Sequence, residues 1–409
     1  MLEPQGTAFL VLLVLAFAGL VTWLALTKQV VVRVLAAFLA FLPAAVFGIA
    51  VVNKYYDYYQ GWGALYSDLS GSGTQSVPQL ASPVGKTSGG SFGAAVTASA
   101  DTALSAQTGY LFRTTVTGHT SHLSRTVFVY LPPQYFQKRF RHYKFPVIEL
   151  LHGSPGGPRA WVDVMSVIPT FLSLLGTHPD DAAVLVMPDT DGSPRYGLQC
   201  LNNPGGIQDM TFVARDVPDA IARIVRVQPP GRAWGVAGYS EGGYCAANIG
   251  LQVPKGYGAV GVLSGYFAPI KSQVPAGNKP SGRPLTVNVF LGHPGLRLIN
   301  TPRYYVTRVP VNDELPVFWL AVGAADAEDV GAAQYFRQVL QTRMVNVPLM
   351  VVPGGGHQAS VWRAALGPML SWMTPQLTGV VKQADAAAAR KAHDAKPRRP
   401  HAATASGKP

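Results

Sequence analysis

Short runs of apolar, mostly β-branched residues recur between about residues 109 and 374, at 125–131, 145–151, 183–187, 234–238, 259–263, 317–322 and 347–352. Several are apolar without alternation, the pattern of strands covered on both faces. Helix-compatible stretches at 214–227, 242–252, 332–342 and 360–373 separate them. Strands alternating with helices imply a mostly parallel sheet with helices on both faces, an α/β domain. Roughly 265 residues suffice for one such domain with an ample core. Groups that do chemistry in these sheets sit beyond the carboxyl ends of the strands.

The rest of the chain is of another kind. Residues 8–26 carry no charge, and neither do 34–52. Each run can cross a hydrocarbon core of about 30 Å at 1.5 Å per residue. A signal peptide is the rival for the first run, but residues 1–7 hold no basic residue and include Glu3, and no A-x-A site follows. The expectation is a two-helix transmembrane hairpin over residues 1–54. Lys28 and Arg33 lie in the connector, with Lys54 after the second span and none before the first. The positive-inside rule then puts the connector in the cytoplasm and both chain ends outside, so the folded α/β domain is expected to be extracytoplasmic. Tyr55, Tyr56, Tyr58, Tyr59 and Trp62 suit the outer interface.

Residues 55–108 read as an aromatic juxtamembrane segment followed by a Gly/Ser/Thr-rich linker. Its 39 residues from 70 on would have a flexible reach of roughly 35 Å. The folded domain is expected over 109–375. Residues 376–409 hold seven Lys/Arg against two Asp, which is +5 of the chain's net +12. They read as a basic disordered tail, with binding to anionic cell-envelope polymers as the sharper alternative. Nucleic-acid binding has no support beyond that net charge.

Gly238-Tyr239-Ser240-Glu241-Gly242 fits G-x-S-x-G, with an apolar strand before it and a helix pattern after it. A strand–turn–helix elbow crowds its flanking positions, so glycine is needed on both sides. Gly89-Gly90-Ser91-Phe92-Gly93 fits the same pattern but lies in the linker with neither neighbour. Ser240 is therefore the expected nucleophile. A serine hydroxyl needs a base, and His357, in Gly354-Gly355-Gly356-His357 directly after the last strand, is the candidate among nine histidines. The orienting acid should follow the preceding strand. Asp326 is favoured there and Glu328 is second, since either acid serves. The order Ser240, Asp326, His357 is that of α/β-hydrolases. Two N–H donors for an oxyanion are expected from Glu241 and from Ser154 in the loop after an early strand, because Pro155 has none. His152 reads as a loop-shaping residue.

Leu150-Leu151-His152-Gly153-Ser154, the elbow, Tyr130-Leu131-Pro132-Pro133, and Gly355-Gly356-His357 with Trp362 together resemble the putative-esterase family of α/β-hydrolases. That family includes esterase D-type hydrolases and secreted mycolyltransferases, and the hairpin with its linker resembles membrane-anchored actinobacterial members. The resemblance covers roughly 110–375. It implies an α/β-hydrolase fold, serine esterase or acyltransferase chemistry without cofactor or metal, and Ser240, Asp326 and His357 as its triad. Residues 267–315, rich in Pro and Gly, depart from the pattern and are expected to form a lid or acyl pocket.

Cys200 and Cys245 both fall near one edge of the sheet, and a disulfide between them is expected in an oxidising compartment. No H-E-x-x-H or paired Cys/His spacing suggests a metal. Gly85-Lys86-Thr87 lacks the leading glycine and strand of a phosphate loop. The expectation is a membrane-anchored serine hydrolase acting on an ester or acyl-lipid substrate through an acyl-enzyme. An acyltransferase to an envelope sugar or lipid hydroxyl, and a non-catalytic scaffold on the same fold, are the alternatives.

Overall fold

A computed structural model describes residues 3–63, 65–66, 102–192, 199–253, 255–269, 272–274, 285–287, 290, 293–310, 315–343 and 345–394. The linker serine Ser91, the segment 85–87 and the tail beyond 394 lie outside them.

Among the described residues ten strands occur in chain order: β1 (Tyr110–Thr117), β2 (Ser124–Leu131), β3 (Val147–Leu151), β4 (Val184–Pro188), β5 (Trp234–Tyr239), β6 (Ala259–Leu263), β7 (Ser272–Val274), β8 (Leu285–Val287), β9 (Val317–Gly323) and β10 (Leu349–Val352). Eight form one sheet in the order β1-β2-β4-β3-β5-β6-β9-β10. The pairs β1–β2 and β2–β4 are antiparallel and the rest parallel. β3, β4, β5 and β6 are buried along their whole length, which is why their sequences are apolar without alternation, apart from the buried Glu149 on β3. Helices Glu241–Gln252, Ala327–Gln341 and Ala359–Asp394 pack on this sheet. Its architecture is that of an α/β-hydrolase.

Helices Thr7–Leu26 and Val30–Tyr56 are each long and apolar enough to cross a membrane, and they pack against each other as a hairpin. No residue of the first is buried, and its apolar side chains are exposed except for Phe9, Leu10, Leu13, Leu20 and Leu24, which are half-buried. Both are close to the runs expected, the second being extended at either end.

Two boundaries differ from the sequence expectation, and the segment after the hairpin is in contact with the folded domain. The juxtamembrane segment is docked on the catalytic domain: the Arg363 guanidinium pairs with Asp57 at 2.6 Å and also donates to the Asp57 carbonyl. The folded domain starts before residue 109, because helix Thr102–Thr108 packs against residues 133–136. It also continues past 375: helix Ala359–Asp394 runs through the start of the expected disordered tail. Leu377 and Val381 are buried there, and an Ala-rich continuation costs little helix propensity.

Candidate active site

Register brings the ends of three parallel strands together, with Leu151 opposite Gly238 and Tyr239 opposite Leu263. Ser240 follows β5 directly and has φ +54°, ψ −121°, a left-handed backbone rare for a residue with a Cβ. Its N–H donates to the Leu263 carbonyl at 2.9 Å, and its carbonyl accepts from Gly243 and Tyr244. The flanking glycines are sterically required. A Cβ on Gly238 would stand 2.1 Å from the Gly242 carbonyl oxygen, and one on Gly242 would stand 2.1 Å from that of Leu151. The turn therefore lifts the Ser240 hydroxyl above the sheet at the start of helix Glu241–Gln252.

His357 follows β10, and its Nε2 lies 2.9 Å from Ser240 Oγ. Its Nδ1 lies 2.8 Å from Asp329 Oδ2 and 3.7 Å from Asp326 Oδ2. A carboxylate only accepts, so Nδ1 carries the proton and Nε2 accepts from the serine hydroxyl. The acid hydrogen-bonded to His357 is thus Asp329, not the expected Asp326. Asp326 is the N-cap of helix Ala327–Gln341, and its Oδ1 accepts from the Asp329 amide at 3.1 Å. Capping turns that side chain to its own helix, while Asp329, one turn on, faces the imidazole. Glu328 is exposed. Burial raises the Asp329 carboxyl above its ordinary value, opposed by its bond to His357. The three groups Asp326, Asp329 and His357 each offer one ligand atom within 4.8 Å of the others, but Nδ1 is already engaged by Asp329.

Ser154 lines the same cavity as Ser240 and His357, and the Glu241 amide opens the helix behind the nucleophile. The Gly153–Ser154 loop is close: a Cβ on Gly153 would come 3.1 Å from that of Ser240. His152 is buried and holds this loop in place. Its Nδ1 donates to the Gly153 carbonyl at 2.9 Å, and Nε2 accepts from the Thr190 amide at 3.1 Å. Cys200 and Cys245 are joined in a disulfide, with Cα atoms 5.6 Å apart.

Other features had no clear sequence signal. Glu241 is buried beside Asp191, and burial raises both carboxyls above their ordinary range. Tyr239 stacks on Trp362, which meets His357 edge-on at 5.3 Å. On the other side the Tyr239 hydroxyl lies 3.5 Å from that of Tyr58, just past the end of the second helix. A cavity of about 1030 Å³ opens over Ser240 and His357. Among the described residues of 267–315, none lines it. Phe267 stacks instead on Phe336 at 4.1 Å, and Asn300 accepts from Tyr244.

Among solved structures, the fold is similar to a ferulic acid esterase, with 22% identity, a TM-score of 0.52, and coverage of 66% of this chain and 98% of that one. An S-formylglutathione hydrolase from Agrobacterium tumefaciens is similar at 16% identity and TM-score 0.53, over 66% and 96% of the two chains. A fluorophosphonate-binding serine hydrolase of Staphylococcus aureus is similar at 17% identity and TM-score 0.51, over 65% and 98%. An uncharacterised protein of Corynebacterium glutamicum is 25% identical over 256 residues, which cover 61% of this chain and 57% of that protein. The family model described as "Putative esterase" matches residues 119–373, the sheet, the elbow and the histidine loop together, and the chain belongs to that family.

Proposed function

We propose that the protein is a serine hydrolase of carboxylic esters, held at a membrane by its hairpin with the catalytic domain on the extracytoplasmic side. The observation that carries this reading is the hydrogen-bonded run Ser240 Oγ–His357 Nε2 at 2.9 Å and His357 Nδ1–Asp329 Oδ2 at 2.8 Å, set on a strained elbow. Ser240 attacks the ester carbonyl while His357 takes its proton. Asp329 keeps Nδ1 protonated and stabilises the imidazolium. The Ser154 and Glu241 amides receive the oxyanion. His357 then protonates the leaving alcohol, and an acyl-Ser240 ester remains. Attack by water, activated by the same histidine, returns the serine and releases the acid. A sugar or lipid hydroxyl in place of water gives acyl transfer from the same intermediate, and product analysis with added carbohydrate separates the two.

A fluorophosphonate phosphonylates an activated serine irreversibly. The full chain in detergent should be labelled, Ser91→Ala should be labelled equally, and Ser240→Ala should not. A folded wild type that resists labelling and leaves p-nitrophenyl butyrate intact would sink the reading in favour of a non-catalytic scaffold.

A further inference from the structure

The cavity over Ser240 is closed on one side by the hairpin. Phe9 from the first helix and Val46, Ile49, Ala50 and Val52 from the second line it, together with Ser240 and His357. From Val46 to Tyr56 is ten residues, so the cavity follows the second helix for about 15 Å below its outer end. Its volume of about 1030 Å³ is at the upper end of the roughly 300–1,000 Å³ usual for small-molecule sites.

The hairpin wall is fixed to the catalytic domain. Arg363, on the helix that follows His357, holds Asp57 and also donates to the Val164 carbonyl. Asn53 locks the turn beyond the helix, donating to the Tyr59 carbonyl at 2.9 Å and accepting from the Tyr59 amide at 2.8 Å. Phe9 meets Trp62 edge-on at 5.1 Å.

The wall has no charge, since residues 8–26 and 34–52 contain none. Ile49 and Val52, which line the cavity, are 70% and 58% exposed. The apolar wall is therefore open at these positions and not sealed by packing. The charged residues of the lining, Arg113, Arg159 and Asp189, belong to the catalytic domain.

We infer that the substrate is a membrane-resident ester with a long acyl chain, and that the outer half of the hairpin is the wall of its acyl site. This rests on the serine hydrolase reading above. Lifting an alkyl chain out of a bilayer into water costs about fourfold in equilibrium constant per methylene. A chain sliding along the helices from lipid to Ser240 stays in apolar surroundings and avoids that cost. The hairpin then serves as substrate channel as well as anchor.

The test compares labelling rates by hexadecyl and ethyl fluorophosphonates, using the full chain in detergent micelles. Wild type should react faster with the hexadecyl probe. Val46→Trp, which fills the path, should lower the hexadecyl-to-ethyl ratio at least tenfold. Ile49→Trp, at an exposed helix position, repeats the measurement if Val46→Trp does not fold. An unchanged ratio in the folded tryptophan variants, or no hexadecyl preference in wild type, overturns the channel and leaves the hydrolase standing. Failure of both probes on folded wild type overturns the hydrolase reading and the channel with it.

Discussion

Two carboxylates stand near His357, and charge alone barely distinguishes them. Coulomb energy scales as the inverse of distance, so Asp329 at 2.8 Å and Asp326 at 3.7 Å differ only by a factor of about 1.3. If catalysis used field alone, losing Asp326 would cost about three-quarters as much barrier as losing Asp329. Hydrogen bonding separates them. Only Asp329 accepts from Nδ1, so only Asp329 fixes the tautomer in which Nε2 can take the serine proton. An Asn at 329 can present its NH2 to Nδ1 and favour the opposite tautomer. Replacing Asp by Asn in such a triad lowers kcat about 10⁴-fold in the template case, and a loss of that order is expected for Asp329→Asn.

Asp326→Asn is a controlled comparison because Asn caps a helix as well as Asp does. The helix N-terminus survives and only a partly exposed charge disappears, which solvent screening reduces to about 1 kcal/mol, or fivefold. Steady-state hydrolysis of p-nitrophenyl butyrate by the two variants, with circular dichroism to verify folding, decides the matter. Equal losses would show that field and not tautomer governs the site. A greater loss in Asp326→Asn would return the orienting role to the residue favoured from sequence.

Two further outcomes concern stability. Glu149 on β3 is fully buried, bonded by the Tyr257 hydroxyl at 2.8 Å, and burial pushes its carboxyl up to about 8. A raised carboxyl stabilises the fold while protonated, and that stability is lost as pH rises through the folded value. Wild type should therefore lose about 3 kcal/mol more than Glu149→Gln between about pH 6 and pH 9, read by urea denaturation, and parallel pH profiles would refute the assignment. Reducing Cys200–Cys245, which closes a separation of 45 residues, should cost about 4 kcal/mol on the loop-entropy relation. An unchanged melting temperature after reduction, verified by alkylation of both thiols, would contradict it.

Much of the sheet was legible because strands covered on both faces leave unbroken apolar runs, as β4, β5 and β6 do. β1 was not, because as an edge strand it alternates, with Arg113, Thr115 and Thr117 outward. Helix Val167–Thr177 was hidden by Pro169 in its first turn, a position that tolerates proline. The last helix seemed to end near Pro375, yet it passes through Pro368 and Pro375 because Leu377 beyond them finds cover over Gly235. Ser240 and His357 were legible through their glycines, which mark where backbone must turn sharply. The acid was not, because Asp326, Glu328 and Asp329 are equivalent as composition and only capping geometry separates them. The hairpin wall could not be read at all, since contact between residues 46–62 and the elbow is purely tertiary.

The elbow ties these observations to one energetic argument. A non-glycine residue in a sparsely populated backbone region costs about 1–3 kcal/mol. Ser240 makes three backbone hydrogen bonds, to Leu263, Gly243 and Tyr244, each worth about 1 kcal/mol net, so local bonding offsets the strain. The side chain is fixed from the other direction. His357 is held by Asp329 and by the edge contact to Trp362, Trp362 by its stack on Tyr239, and Tyr239 by Trp161 and the Tyr58 hydroxyl. Tyr58 in turn follows Asp57, which Arg363 clasps. His357 and the end of the hairpin are thus parts of one packed unit. Rigid attachment of that kind has a functional consequence for the proposed channel. A path along the hairpin keeps its alignment with Ser240 only if the two cannot swing apart, and the contacts that orient the base also prevent that swing.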